Sequence, residues 1–331
     1  MNHIMNNMRN TSNVWLSLFV ALLGLILVVS CTAGNINVPP PPPVDKTAVP
    51  EGNEDEGNGN ENGNENGNEN GGENGGENGG DNGQDKPLPV MGKHTTYKLK
   101  SATDFVVELS GLCLSVDGDF LWGVGDNGNL YKINFDGTYE SHWSYDADME
   151  GITMDPATGT MYMGIEPKRV YKLTSPYKSK TTMWDVAEAA DMSNSGIEGI
   201  AWHNGTLYLG AQTGATLWEY KLDGTKIFKR SLREVVSTIS EIADLCYDPV
   251  SDYLWVIDSN SNKDKPQYLP YTLYLFNGTA TKCLATYYIG DFANWNPETV
   301  CVDRAHNCLW LADDCGDGDP SLLHKVEFTN L

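Results

Sequence analysis

From Thr95 onward, short apolar runs alternate with polar residues and are separated by Asp-Gly, Asn-Gly and proline turns. An apolar–polar alternation with a period of two residues predicts half-buried β-strands, and the runs are rich in Tyr, Trp, Val and Ile, which favour strands. The turn dipeptides predict tight connections between these strands. The pattern therefore predicts an all-β fold.

The predicted hairpins recur along the chain. Five segments align, each with a short apolar strand, a turn, and a second strand containing Leu-Trp, Met-Tyr or Leu-Tyr. They start roughly 40 to 55 residues apart, at Glu108, Asp148, Ser195, Ser240 and Asn296. A third strand follows in most of them. This period, with three or four strands in each unit, is typical of a β-propeller, whose blades bury their faces against one another.

The repeats predict five four-stranded blades. Six blades remain an alternative, because the long insert 259–295 could contain a diverged blade. The last repeat ends one strand short of four, at "HKVEFTNL". The segment "HTTYKLKSA" at 94–102 precedes the first repeat and could supply the missing strand. An N-terminal strand closing the last blade would tie the two ends of the ring together.

Residues 1–30 have the features of an export signal. The apolar run "VWLSLFVALLGLILVV" follows a short N-terminal segment with one arginine and is short for a membrane span. Cys31 comes directly after this run and resembles the modified cysteine of a bacterial lipoprotein. The resemblance implies cleavage before Cys31 and its acylation, which would anchor the protein in a lipid bilayer. A plain N-terminal anchor helix is the alternative. The expected location is the bacterial cell envelope, and Thr32 favours the outer membrane over the inner one.

Residues 31–90 are predicted to be a disordered tether between this anchor and a β-propeller domain at 91–331. Five prolines at 39–43 favour a stiff polyproline II segment. The Asn-, Gly- and Glu-rich tract that follows has no apolar residue with which to form a core.

The formal net charge of the chain is −23. The tract 51–85 accounts for 11 acidic residues, and residues 86–331 still have 33 acidic residues against 20 basic ones. Such a surface repels phosphate backbones, which argues against nucleic acid as a partner. It favours cations or uncharged ligands, and a protein or a glycan remains a candidate partner.

Carboxylates recur at two places in the repeat. One set lies at the entrance of each first strand: Glu108, Glu150, Glu198, Glu241 and Glu298. A second set lies at the end of the second strands: Asp126, Glu166, Asp258 and Asp313, whereas the third repeat has Gln212 at this position. Because an antiparallel hairpin starts and ends at the same edge, both sets should face one side of the propeller, around its axis. Oxygen ligands without a His or Cys cluster suit Ca2+. Alternatively, these acids accept backbone N–H bonds in turns.

The motifs "ELSGL", "DMEGI" and "GIEGI", followed by hairpins such as "DPATGTMY", resemble the SdiA-regulated family of exported β-propellers. They are more distantly similar to the esterase-like phytase propellers. The resemblance covers about residues 96–328. It implies a propeller with Ca2+ in its channel and no particular activity. The motif "SEIADL" departs from the "EGI" form, which puts the contribution of the fourth blade in doubt.

The remaining reactive residues give weaker indications. Cys113, Cys246 and Cys301 occupy the same position in three aligned repeats, and the other repeats have small residues there. This favours buried thiols over disulfides. His203 and His306 fall in predicted hairpin turns and are expected to be solvated. Most tryptophans are predicted to pack between strands, whereas Trp184 and Trp295 lie outside the repeat core and could stack on a sugar. No catalytic residue can be assigned.

Three classes of function are compatible with this pattern. The first is a surface-anchored propeller that binds a ligand or partner at an acidic, Ca2+-occupied channel mouth. The second is a Ca2+-dependent hydrolase of phosphate esters or lactones, in which carboxylates such as Glu150, Glu198 or Glu298 would hold the metal. The third is a structural scaffold lipoprotein.

Overall fold

The computed structural model describes residues 87–259, 268–269, 271–316 and 318–331. The predicted signal segment, with Cys31, and nearly all of the tether lie outside these residues. Within the described ranges, the helices are three single 3-10 turns, and none is long or apolar enough to cross a membrane.

The described strands form five four-stranded antiparallel sheets, each of them one blade of a β-propeller. This confirms the predicted all-β fold and the blade number. Blade 1 consists of β2 (Leu109–Leu114), β3 (Leu121–Gly125), β4 (Asn129–Ile133) and β5 (Tyr139–Ser144). Blade 2 consists of β6 (Met149–Met154), β7 (Met161–Ile165), β8 (Arg169–Leu173) and β9 (Lys180–Asp185). Blade 3 consists of β10 (Ile197–His203), β11 (Thr206–Ala211), β12 (Thr216–Lys221) and β13 (Lys226–Ser231).

Blade 4 consists of β14 (Asp244–Asp248), β15 (Tyr253–Asp258), β16 (Thr272–Asn277) and β17 (Cys283–Tyr288). The insert 259–295 thus supplies the two outer strands of blade 4, and the six-blade alternative is wrong. Blade 5 consists of β18 (Pro297–Asp303), β19 (Cys308–Asp313), β20 (Leu322–Thr329) and β1 (Val90–Lys98). The N-terminal strand β1 pairs with β20, so it closes the last blade as predicted, although it starts four residues before His94.

The hydrophobic core is divided among the five contacts between neighbouring blades. Five clusters of buried residues each combine side chains from two adjacent blades, including the contact between blades 5 and 1. Trp218, Trp255 and Trp310 are almost completely buried within them. A single blade is apolar on both faces, so only the closed ring removes both faces from water.

The five inner strands surround the axis of the propeller. Each inner strand contacts the next, and β18 contacts β2, so the ring is continuous. At three of these contacts between inner strands, a glycine allows the two strands to lie close together. A Cβ atom on Gly111 would lie 2.8 Å from Gly151 Cα, one on Gly151 would lie 2.8 Å from the Glu198 carbonyl oxygen, and one on Gly199 would lie 2.8 Å from Asp244 Cα. These glycines let the strand entrances, with their carboxylates, approach one another.

The six described cysteines form no disulfide with one another. Cys113 and Cys301 are buried, and Cys246 is half-buried. Burial raises the pKa of the Cys113 thiol, which keeps it protonated at neutral pH. These residues fill the narrow space between inner strands.

Candidate functional site: an acidic channel mouth

The inner strands all start at one face of the ring, and the second strand of each blade ends at that face. Carboxylates from all five blades meet here, and their charges act on one another. We call this group the acidic mouth; it comprises Asp126, Asp148, Glu150, Glu166, Glu198, Glu241, Glu298 and Asp314. The sequence predicted six of these eight residues: Glu150, Glu198, Glu241 and Glu298 of the entrance set, and Asp126 and Glu166 of the exit set.

The tightest group in the mouth is formed by Asp126, Asp148 and Glu150. One carboxylate oxygen from each of these side chains lies within 4.8 Å of the others. Ca2+ binds oxygen at 2.3–2.6 Å, so two ligands of one ion are separated by no more than about 5 Å. The spacing of the three oxygens therefore fits ligands of a single cation. Asp126 also accepts a short hydrogen bond from the Ser110 hydroxyl, which fixes its position.

Glu150 and Glu198 are the deepest acids of the mouth. Each side chain is only 8% exposed. Burial, followed by the charges of Asp126 and Glu198, raises the pKa of Glu150 to about 11. Burial, followed by the charges of Glu166 and Glu298, raises the pKa of Glu198 to about 10. Both carboxyls are therefore protonated at neutral pH unless a cation or donors compensate their charge.

Glu298 and Glu241 continue the mouth on blades 5 and 4. Burial, followed by the charges of Asp314 and Asp126, raises the pKa of Glu298 well above its usual range. Its Oε1 accepts a hydrogen bond from the Asn296 amide. Burial also raises the pKa of Glu241, although Ser259 Oγ donates to its Oε1 at 2.8 Å. Blade 4 therefore contributes a carboxylate even though "SEIADL" departs from the repeat motif.

The predicted second ring divides into two kinds of residue. Asp126 and Glu166 belong to the mouth, and burial, the largest cause, raises the pKa of each. Asp258 instead accepts bonds from the backbone N–H of Ser240 at 2.7 Å and from its hydroxyl at 2.8 Å. Asp313 Oδ2 accepts the backbone N–H groups of residues 294 and 295, both at 3.2 Å. The turn-acid alternative therefore describes these contacts of Asp258 and Asp313.

Glu108 lies directly before β2, at the entrance of blade 1. Its backbone has a positive φ of 51°, and its carbonyl oxygen accepts a bond from Ser110 Oγ at 3.3 Å. Glu108 lies two residues earlier in its repeat than Glu150 does in its own, and the backbone at Glu108 is in the left-handed region.

Asp148 and Asp314 were not among the predicted site residues. Asp148 lies in the same repeat column as Glu108 and Glu241, two residues before Glu150, so comparing that column across all repeats would have identified it. Asp314 lies just after β19, where its backbone N–H donates to the Asn296 carbonyl at 2.9 Å. No repeat column predicts this residue, because its position depends on the connection between blades 4 and 5.

The two histidines predicted to be solvated differ from one another. His306 is exposed, and its Nδ1 lies 2.7 Å from Asp303 Oδ2. His203 is half-buried, so the prediction was wrong there. Its ring stacks on Tyr208 with the centroids 4.2 Å apart, and its Nδ1 lies 2.8 Å from Glu219 Oε1. Aromatic packing between blades 3 and 4 removes this histidine from water.

A cation in the mouth would meet an unsatisfied polar atom. Glu198 Oε1 is buried and accepts no hydrogen bond from an N–H or hydroxyl group among the described residues, and the only hydrogen-bonding group that faces the Glu198 carboxyl is the carboxyl of Glu166. A buried acceptor without a donor is costly, and a cation would satisfy it. Together with the oxygen-only character of Asp126, Asp148 and Glu150, this atom makes the residues fit Ca2+. The ion would be held by these carboxylates and would screen their mutual repulsion.

The raised pKa values predict how stability depends on pH without metal. The folded protein holds protons on Glu150 and Glu198 that the unfolded chain releases near pH 4.5. The folded state thus binds more protons, so its free energy of unfolding falls as pH rises from about 4.5 to about 10–11. In EDTA, the melting temperature should fall between pH 6 and pH 9 by calorimetry. Glu150→Gln with Glu198→Gln should flatten this fall, and an equal fall in the variant would contradict the assignment.

Comparison with known proteins adds information on the fold alone. No family model matches this chain, and no curated protein matches it. Among solved structures, the chain is similar to one in a nidogen/laminin complex, with 14% identity over 66% of this chain and 84% of that chain, and a TM-score of 0.43. It is also similar to luciferin-regenerating enzyme, with 13% identity over 71% of this chain and 95% of that chain, and a TM-score of 0.47. The fold and the mouth define a five-bladed β-propeller with a carboxylate-rich channel entrance.

Proposed function

We propose that this protein is a lipid-anchored propeller of the bacterial cell envelope that binds Ca2+ at the acidic mouth and, through it, a ligand or partner. Asp126, Asp148 and Glu150 would hold the ion, with the charge of Glu198 close to them. The resemblance to the SdiA-regulated family agrees with this proposal and stays a prediction.

The observation that carries the proposal is the unsatisfied Glu198 Oε1 beside a cluster of like charges. Carboxylates that serve only as turn acids pair with backbone N–H groups, as Asp258 does with Ser240. Glu150 and Glu198 instead face other carboxylates, and burial together with these charges raises their pKa values to about 11 and about 10. Such an arrangement is unfavourable in the folded protein without a cation, which is a reason to expect one.

Isothermal titration calorimetry of the purified protein with Ca2+ tests the proposal directly. We expect saturable binding that is lost when Asp148 is changed to Asn together with Glu150→Gln. The matched control is Glu140→Gln with Glu327→Gln, which removes two exposed carboxylates from β5 and β20. Absence of Ca2+ binding at millimolar concentration would show that the mouth is a set of protonated structural acids.

The anchor can be tested separately. Changing Cys31 to Ala should remove the only candidate for acylation after the apolar run and leave the precursor uncleaved. Metabolic labelling with palmitate should then give no labelled band, and the protein should run at the size of its precursor. Cys315→Ala, which alters a cysteine of the propeller, is the control and should keep its label. Unchanged palmitate incorporation in Cys31→Ala would refute the lipoprotein assignment.

A further inference from the structure

We propose that the ligand at the acidic mouth is a neutral hexose glycan, with two adjacent hydroxyls on the bound Ca2+ and the apolar face of a sugar ring on Trp295. This proposal rests on the Ca2+ site of the proposed function and names the class of ligand for it. Four observations support it: an exposed indole, a fixed backbone beneath it, its connection to the mouth, and the charge of the surrounding surface.

Trp295 differs from the other tryptophans of the described ranges. Its side chain is 65% exposed, whereas Trp218, Trp255 and Trp310 are buried between blades. Trp184, the other sugar-stacking candidate, stacks on Tyr220 with centroids 4.7 Å apart and therefore packs within the protein. Trp143, also exposed, has the Lys178 ammonium 5.4 Å from its ring centroid. Among the described residues, no aromatic ring or cation covers the Trp295 indole.

The backbone that carries this indole is fixed. The N–H groups of Asn294 and Trp295 both donate to Asp313 Oδ2, each at 3.2 Å. The Asn294 side-chain amide donates to the Gly290 carbonyl at 3.1 Å, and the Asn296 carbonyl accepts the Asp314 N–H at 2.9 Å. An exposed aromatic side chain on a fixed backbone loses little conformational entropy when a ligand binds, so it suits recognition.

The same segment leads directly into the acidic mouth. Asn296 donates to Glu298 Oε1. The charge of Glu298 in turn helps to raise the pKa values of Glu150 and Glu198, which places these three carboxylates within electrostatic range of one another. Trp295 therefore directly precedes Asn296, which is hydrogen-bonded to two acids of the mouth on blade 5, Glu298 and Asp314.

The chemistry of this surface selects the ligand. Ca2+ takes six to eight oxygen ligands, so an ion held by a few carboxylates keeps positions for water or ligand hydroxyls. An exposed aromatic ring offers a flat apolar surface on which the C–H face of a pyranose can lie. Residues 86–331 have 33 acidic residues against 20 basic ones, which disfavours uronic acids and sulfated sugars. A neutral hexose has both the paired hydroxyls and the apolar face.

The test uses the full-length protein in detergent on a printed array of neutral, amino and acidic glycans, with Ca2+ or with EDTA. We expect binding to at least one neutral hexose glycan in Ca2+ and loss of binding in EDTA. For the glycan that binds, titration should give an affinity at least about fivefold weaker for Trp295→Ala, the loss expected when a central aromatic contact is removed. Trp295→Phe should recover part of the affinity, and Trp143→Ala should leave it unchanged.

Ca2+ calorimetry on the same variants separates the two proposals. Trp295→Ala should bind Ca2+ as the wild type does, because the indole is not a ligand of the ion. Normal Ca2+ binding without any neutral glycan bound, or with equal affinity in Trp295→Ala, overturns the glycan inference and leaves the Ca2+ site standing. Glycan binding that persists in EDTA overturns the role of the ion. No Ca2+ binding at all overturns both proposals.

Discussion

Changing Glu150 and Glu198 together to glutamine is expected to abolish the stabilisation of this propeller by Ca2+. A ligand that binds only the folded state stabilises it by RT ln(1 + [L]/Kd), which is about 2.7 kcal/mol at a hundredfold excess over Kd. For a domain of this size, that corresponds to a rise in melting temperature of roughly 5–11 °C. Calorimetry should show this rise in the wild-type protein when Ca2+ replaces EDTA, and no rise in the double variant.

The metal-free proteins provide the second half of this prediction. Glutamine has nearly the shape of glutamate but does not ionise, so the double variant removes the cost of protonating Glu150 and Glu198 when the chain folds above pH 4.5. In EDTA at pH 8, the variant should be at least as stable as the wild-type protein. Glu140→Gln with Glu327→Gln removes the same number of charges from exposed positions and should keep the Ca2+ response. A double variant that still gains stability from Ca2+ would show that the ion binds elsewhere.

The sequence predicted the propeller well because every blade carries the same local pattern. The apolar first strand, the turn and the aromatic second strand recur five times, and each repeat became two neighbouring strands of one blade. Closure by β1 could be inferred from the strand missing after β20. The six-blade alternative for 259–295 has a physical cause, because β16 and β17 follow a long connection after β15 and so resemble a separate, diverged hairpin.

The site was less predictable from the sequence than the fold. The alignment placed Glu150, Glu198 and Glu298 at one position of the repeat, and in the structure the charges of these three residues act on one another. The alignment of the repeats did not show which acids at the strand ends belong to the mouth and which accept hydrogen bonds from backbone N–H groups. Asp313 accepts the N–H groups of residues 294 and 295, and Asp258 accepts that of Ser240, because the segment entering each of these two blades contacts the acid at the end of the second strand. Long-range packing of this kind also removed His203 from water.

Gly151 lies where two inner strands come close together, next to Glu150 of the acidic mouth. Gly151→Ala should therefore affect both the stability of the fold and the mouth. An added Cβ would lie 2.8 Å from the Glu198 carbonyl oxygen and 2.9 Å from the Ile200 nitrogen. These are backbone atoms of the neighbouring inner strand, so β6 and β10 would have to move apart. We expect a loss of about 1–3 kcal/mol in the free energy of unfolding, measured by urea denaturation.

The same change should weaken Ca2+ binding, because Glu150 precedes Gly151 and Glu198 precedes Gly199 on the two strands that separate. A binding site tolerates displacements of only about 0.5 Å, and a backbone shift here moves one set of carboxylates relative to the other. Gly318→Ala is the matched control, since a Cβ there meets nothing within 4 Å; its stability should stay within about 0.5 kcal/mol of wild type. If Gly151→Ala were equally neutral and bound Ca2+ normally, close approach of the inner strands would not be what positions the carboxylates.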